Sequence, residues 1–548
     1  MNSPAVPHDN PHDTLKDLRL QVMWTRLISV VEEAAQALMR TAFSTTVRDA
    51  GDLSAAVFDT QGRLIAEAVT GTPGHVNSMA EGVKHFLARF PAATMAEGDH
   101  YITNDPWLTA GHLHDITVVS PVVMDGRVVG LLGCCCHQLD IGGLGQGPDG
   151  RSIFEEGLQI PLMKLASRGQ LNLDLMAILQ QNVRTPLQVE GDVLSYIASN
   201  DTGARRLKAM LQEFGQTSLD ALGDYILQQS LSATRERIAA LPRGCWQSAL
   251  TIDGYDRPIT LRATLTIAED RVTVDYAGTD GAVPQGINVV LNYCRAYTVF
   301  GLKCLIAPEV PNNHGALLPF EVSAPEGSIL NAQRPSPVAA RHVIGQMLPD
   351  VVLGCLAQAM PQRVPAEGSS CLWSVQLRGR APGSAAATFD TVFFNSGGAG
   401  ARPGQDGLDA TAFPSGVRAM PVEVSEHGAP IVIWKKELRE DSGGAGQFRG
   451  GLGQTVEVGT RDGAAFEVLA MYERVATPAK GRSGGGDGAA GVVRLKSGPL
   501  LRAKGLQTIP ADDRLVLELP GGAGLGPAEA RDPAALAADA AAGLVAPR

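Results

Sequence analysis

No apolar run in this chain reaches the roughly 20 residues needed to span a bilayer, so no membrane helix is expected. Met1 to Asp13 carry neither a basic start nor an apolar stretch, which argues against a secretory signal. Cysteine is scarce. The chain has 8 in 548 residues, and three of them are adjacent at Cys134, Cys135 and Cys136, which is no disulfide framework. A reduced, cytoplasmic protein is expected. Excess positive charge is lacking as well. Lys+Arg total 46 against 57 Asp+Glu, and the net charge of −11 argues against nucleic acid or an anionic membrane as the main partner. There is no G-x-x-x-x-G-K-[ST] loop and no G-x-S-x-G elbow. Gly145 to Gly150 match G-x-G-x-x-G, but Pro148-Asp149-Gly150 reads as a turn and no apolar helix follows. This chain is therefore not expected to bind ATP by itself.

What is present describes a large mixed protein. Apolar residues make up 44% and charged residues 19%, and the length suits about three or four domains. A helix is predicted from near Thr14, with Leu20, Trp24, Leu27, Val31, Ala34 and Leu38 on one face. A hairpin follows, Leu53 to Phe58 with Arg63 to Ala68, and then a helix over Ser78 to Phe90. Residues 172 to 240 read as mostly helical. Strands are predicted at Ser248 to Ile252, Ile259 to Ile267 and Arg271 to Tyr276, with helices at Val289 to Leu305 and His342 to Met360. Beyond residue 370 the chain turns glycine-rich and strand-like, and Pro533 to Leu544 reads as a closing helix. The glycine runs Ser442 to Gly453, Gly481 to Gly491 and Pro520 to Gly526 are read as tight turns. The pattern is α+β, a mixed multi-domain protein rather than a regular βαβ alternation. The expected division is a disordered N-terminus at 1–13, an α+β domain at 14–170 and a helical segment at 171–241. An α+β middle domain at 242–369 and a glycine-rich, β-dominated part at 370–548 complete it.

The most informative stretch is Ala110-Gly-His-Leu-His-Asp-Ile116 with Cys134-Cys-Cys-His-Gln-Leu-Asp-Ile-Gly-Gly143. Strand-forming residues run from Ile116 to Val123, Asp125-Gly126 gives a strong hairpin signal, and a second apolar run ends at His137. A two-residue turn places Asp115 opposite Cys136 and His114 opposite His137. Cross-strand Cβ atoms lie about 5 Å apart, so His112, Asp115 and His137 gather at the open end. Two imidazoles and a carboxylate suit a divalent metal with vacant positions. Polar residues at strand ends, accepting turn hydrogen bonds, are the alternative, and a bulge would change the register. The three cysteines alternate between faces and cannot converge on one ion, so they are expected in the core.

Many ordered segments resemble the hydantoinase B family, which includes B-type parts of 5-oxoprolinase and N-methylhydantoin amidohydrolase. Subunits of acetone and acetophenone carboxylases and of caprolactamase also belong to it. The matching pieces include Asp52-Leu-Ser54, His75-Val-Asn-Ser-Met79, Asn104-Asp-Pro106, His112-Leu-His-Asp-Ile-Thr117 and His137-Gln-Leu-Asp-Ile-Gly-Gly143. Phe154-Glu-Glu-Gly-Leu-Gln-Ile-Pro161, Asn200-Asp-Thr-Gly-Ala-Arg-Arg206, Pro311-Asn-Asn-His-Gly315 and Pro520-Gly-Gly522 extend the likeness along the chain. The resemblance implies one divalent metal, manganese or zinc, on His112, Asp115 and His137. It also implies ATP bound by a hydantoinase A-type ATPase partner, which phosphorylates a small cyclic amide that this chain then helps to hydrolyse. A heterotetramer or larger assembly is expected. Asp52 either orients or deprotonates the attacking water or is a strand-end turn residue. His75 either contacts substrate or phosphate or caps a helix. The family usually has proline at position 114 and often a second histidine at 138. Here His114 is expected to face solvent, and Gln138 cannot titrate. The competing readings are a ketone carboxylase subunit and a scaffold without chemistry.

Overall fold

In the computed structural model, which describes residues 11–380 and 388–546, the chain is α+β. The expected disordered segment 1–13 lies partly outside these residues, and Pro11 to Asp13 are already helical. The N-terminal part begins with α1 (Pro11–Thr41), a one-turn α2 (Thr45–Arg48), β1 (Leu53–Phe58), β2 (Leu64–Glu67) and α3 (Pro73–Arg89). It continues through β3 (His100–Thr103), β4 (Asp115–Met124), β5 (Arg127–His137), β6 (Met163–Ser167) and β7 (Gln170–Leu171). These strands form one antiparallel sheet in the order β2-β1-β5-β4-β3-β6-β7. Helices α4 (Leu173–Asn182), α5 (Pro186–Glu213) and α6 (Asp220–Ala239) follow.

The central strands lack polar alternation because helices cover both faces. α1 and α5 pack on one side and α3 on the other, and every residue of β1 is buried. Gly203 lets α5 come close, since a Cβ there would stand 2.8 Å from Leu132 and 3.2 Å from Ala34. Cys134 and Cys136 face the α1–α5 side and Cys135 the α3 side, as strand alternation requires.

Asp125 and Gly126 both take positive φ, 48° and 74°, and form the expected two-residue turn. The register does not stay as that turn alone dictates. Val122 pairs with Gly130 and Val123 with Val128, leaving Val129 as an extra residue. This bulge moves every later pair by one, so Asp115 lies opposite His137 rather than Cys136. A second correction concerns α3, which starts at Pro73 instead of Ser78. Proline at the first helical position begins the helix. His75 therefore sits in the first turn rather than before it.

The middle part contains β8 (Gly244–Ile252), β9 (Ile259–Ile267), β10 (Val272–Asp275), α7 (Leu291–Ile306), α8 (His314–Leu317) and β11 (Phe320–Ser323). It closes with α9 (His342–Gly345) and α10 (Leu348–Ala359), so the single helix expected over His342 to Met360 is broken at Gln346-Met347. Its sheet runs β11-β10-β9-β8, and only the β10–β11 pair is parallel. One apolar cluster reaches from Met23 in α1 through Val193 in α5 to Leu302 in α7 and Val352 in α10.

The C-terminal part has its own cluster, including Trp373, Phe393, Val458, Val468 and Leu517. It comprises β12 (Trp373–Arg380), β13 (Thr388–Asn395), α11 (Val422–Gly428), β14 (Ile431–Leu438), β15 (Gln454–Thr460) and β16 (Phe466–Met471). β17 (Val492–Leu495), β18 (Lys504–Ile509), β19 (Leu515–Glu518) and α12 (Pro533–Ala541) complete it. Two four-stranded sheets form, β13-β12-β16-β18 and β14-β15-β19-β17. The glycine runs are not simply tight turns between strands. Much of their length packs backbone against backbone: Gly451 N donates to Ala399 O at 2.8 Å and Gly522 N to Gly451 O at 2.9 Å. A Cβ at Gly398 would stand 1.8 Å from Gly451 O, so glycine is required there for close approach.

Candidate metal centre

The bulged hairpin delivers Asp115 at the start of β4 and His137 at the end of β5, side by side. His112 reaches the same point from the loop before β4. Asp52 precedes β1, whose neighbour is β5, and His137 N donates to Asp52 O at 3.2 Å. His75 comes from the first turn of α3, which is seated where Gly74 meets Tyr293 and Tyr297 of α7. A Cβ at Gly74 would stand 2.8 Å from either ring. All five sequence-predicted site residues thus line one cavity of about 30 Å³, together with Tyr293, Tyr297, Arg341 and His342. That is room for about one water by usual measures. Leu372, Phe394 and Val417 close it from the C-terminal part.

Asp115 is the centre. It is fully buried, and its two oxygens serve different neighbours. Oδ1 lies 2.7 Å from His112 Nε2 and 3.1 Å from His137 Nδ1. Oδ2 lies 3.0 Å from His75 Nε2 and pairs with the guanidinium of Arg341. Burial works against the charge of Asp115. The positive charges of His75 and Arg341 outweigh it and hold the carboxyl well below its ordinary range. For His75, burial opposes protonation, but Asp115 and Asp52 prevail and raise its pKa. His112 goes the other way. Burial and then Arg341 push it down to about 4, so its ring is neutral.

The donor set passes a test of fit for a cation. His112 Nδ1 donates to Ala339 O at 2.9 Å, so Nε2 carries the lone pair. That lone pair faces Asp115 Oδ1 without a proper hydrogen bond. Two acceptors at this separation repel unless a cation lies between them. The ligand atoms of His112, Asp115 and His137 lie within 4.8 Å of one another, and the carbonyl behind His112 is the outer-shell contact that such ligands carry. His75, Asp115 and Cys135 also converge. There Arg341 already supplies positive charge at Oδ2, and burial pushes the Cys135 thiol well up, so that side does not fit an ion.

One expectation changes. His114 does not face solvent: it is 0% exposed, its ring stacks on His137 at 5.5 Å, and neither nitrogen has a protein partner. Gln138 also points inward and donates to Tyr196 OH of α5. Arg341, His342, Tyr293 and Gln146 escaped sequence reasoning. The only sequence sign was a basic pair, Arg341-His342, at the head of an apolar helix.

A family model described as hydantoinase B/oxoprolinase matches residues 16–528. The chain belongs to this family. An uncharacterized protein, MJ0963, of Methanocaldococcus jannaschii is 30% identical over 94% of this chain and 91% of its own length. The B component of a putative D-/L-hydantoinase of Pseudomonas sp. strain NS671 is 28% identical over 84% of this chain and 81% of that protein. Among solved structures, the ATP-dependent caprolactamase of Pseudomonas jessenii superposes with a TM-score of 0.87 and 26% identity, covering 96% of this chain and 94% of that one. Acetone carboxylase shares the fold at a TM-score of 0.84 and 19% identity, covering 96% and 78%. Among the described residues, no helix is long and apolar enough to cross a membrane.

Proposed function

We propose that this chain is the metal-binding subunit of an ATP-dependent cyclic amide hydrolase of the hydantoinase/5-oxoprolinase type. The observation that carries the proposal is the lone pair of His112 facing the Asp115 carboxylate beside His137. An unstrained amide resists water because the nitrogen lone pair stabilises its carbonyl. Phosphorylating the carbonyl oxygen removes that protection. No nucleotide loop is present here, so ATP belongs to a hydantoinase A-type ATPase partner, in a heterotetramer or larger assembly in the cytoplasm.

A divalent ion, manganese or zinc, held by His112, Asp115 and His137 supplies Lewis acidity. The surrounding side chains divide the remaining work. Asp52 Oδ1 accepts from Thr72 Oγ1 at 3.1 Å and lies 3.7 Å from His75 Nε2, placed to take a proton from water. His75, with its raised pKa, offers a proton to phosphate or to the departing nitrogen. Leu372, Phe394 and Val417 cover the centre from the C-terminal part and keep bulk water from it.

The second reading is a subunit of an ATP-dependent ketone carboxylase. Hydrolysis is favoured because this chain covers 94% of the caprolactamase chain but 78% of the acetone carboxylase chain. The test is co-expression with an A-type ATPase chain, then ATP turnover with hydantoin, 5-oxoproline, a lactam, and acetone with bicarbonate. Ring opening that requires ATP is expected. Carboxylation of acetone without opening of any ring would overturn the hydrolase reading.

A further inference from the structure

Glu156 belongs to the segment Phe154 to Pro161 and, among the described residues, shares no hydrogen bond with the groups that line the cavity. It is nevertheless a carboxyl with 1% exposure that forms no ion pair among the described residues. Its Oε1 accepts from Val338 N at 2.7 Å and from Ala339 N at 2.9 Å, while Oε2 has no partner. Burial pushes its pKa up to about 8. Space is kept for it by two glycines. A Cβ at Gly286 would stand 3.0 Å from Oε1, and one at Gly150 would stand 3.2 Å from Cγ. A carboxyl buried in this way costs free energy that an apolar side chain of similar size would not. What it provides is a single acceptor for two successive backbone N–H groups.

Those two groups open the segment that builds the far half of the site. Ala339 O takes the proton of His112 Nδ1 at 2.9 Å, which directs Nε2 toward Asp115. Ala340 N is tied to Gly286 O at 2.7 Å. Arg341 then reaches Asp115, and His342 lines the cavity. We infer that Glu156 is a positioning residue of the metal centre: it clamps Val338 and Ala339 so that the Ala339 carbonyl fixes the tautomer and aim of His112. The role in metal binding rests on the reading of His112 as a ligand; the role in fixing the ring does not.

The test uses the full chain with ¹⁵N-labelled histidine, as wild type, Glu156→Gln, Glu156→Asp and Glu156→Leu. Two quantities are read: the His112 tautomer by NMR without metal, and the zinc affinity by competition with a chelator. Glu156→Leu and Glu156→Asp should lose the fixed Nδ1–H tautomer and weaken zinc by about 10- to 100-fold, the usual cost of an outer-shell contact. Glu156→Gln keeps the Oε1 acceptor and should keep both properties. Where Glu156→Leu fails to fold, the Asp and Gln variants decide. A folded Leu or Asp variant with the wild-type tautomer would overturn the inference, and so would a Gln variant as defective as Leu. A wild type that takes up no zinc, but whose tautomer responds as stated, would remove the metal reading and leave the positioning role standing.

Discussion

Replacing Arg341 by Met removes the guanidinium that pairs with Asp115. Both side chains are buried, Arg341 at 4% exposure and Asp115 at 0%. Breaking such a pair from one side costs about 3–5 kcal/mol, because the remaining charge has no solvent. His75, 3.0 Å from Oδ2, shares part of that charge, so the lower end is expected for the metal-free chain. A divalent ion at Oδ1 changes the balance, since it supplies the missing positive charge. In the metal-loaded chain the remaining loss is the stacking of Arg341 on Tyr293, at 4.0 Å, and its hydrogen bond to Ala110 O at 2.6 Å. These are worth roughly 1–2 kcal/mol together. The difference, about 1–2 kcal/mol, must appear as tighter metal binding, by about 5- to 30-fold. The assay is a chelator-competition titration of wild type and Arg341→Met, with melting points recorded for metal-free and loaded chains. Arg341→Met should melt lower without metal, gain more from it, and bind it more tightly. Equal destabilisation in both states, or weaker binding, would refute the view that Arg341 and the ion share one carboxylate.

Other outcomes follow from the same geometry. His114→Pro, which installs the residue the family usually has, should retain the metal and raise the melting point. It removes two buried nitrogens without partners, each costing about 1–3 kcal/mol, and complete loss of metal would instead make His114 a ligand. Asp52→Asn should lower ring opening by about 10²–10⁴-fold while metal content and ATP consumption persist, and normal product formation would reduce Asp52 to a turn residue. The metal-free chain should lose stability as pH falls from 6.5 toward 4. His112, pushed down to about 4, and His114 and His342, held well below 6.5, stay neutral when folded, mainly through burial, while the unfolded chain takes up protons. His75 and the buried carboxyls Glu156 and Glu67, whose pKa values are raised, oppose this trend without cancelling three depressed imidazoles, and depressed Asp115 adds its own loss only at lower pH. A melting point that does not change between pH 7 and 5 would contradict it.

The hairpin, its turn and the meeting of His112, Asp115 and His137 were legible because the two-residue turn and the polar strand ends are local signals. The exact pairing was not, since Val129 looks like any other strand residue and nothing local marks it as the bulge. His75 was found but misplaced, because Pro73 was not read as a helix start. Arg341 and His342 arrive from more than 200 residues away, through Tyr293 and the backbone held by Glu156. No periodicity reports such a contact. The packed glycine segments read as turns because composition records conformational freedom and not close approach.

Metal analysis of the purified chain tests the central claim most directly. Wild type should carry about one divalent ion per chain, manganese or zinc, as two nitrogens and one oxygen allow. His112→Ala and His137→Ala should each lose it while remaining folded by circular dichroism. Full occupancy in both variants, or a wild type that takes up neither ion at micromolar concentration, would contradict the assignment.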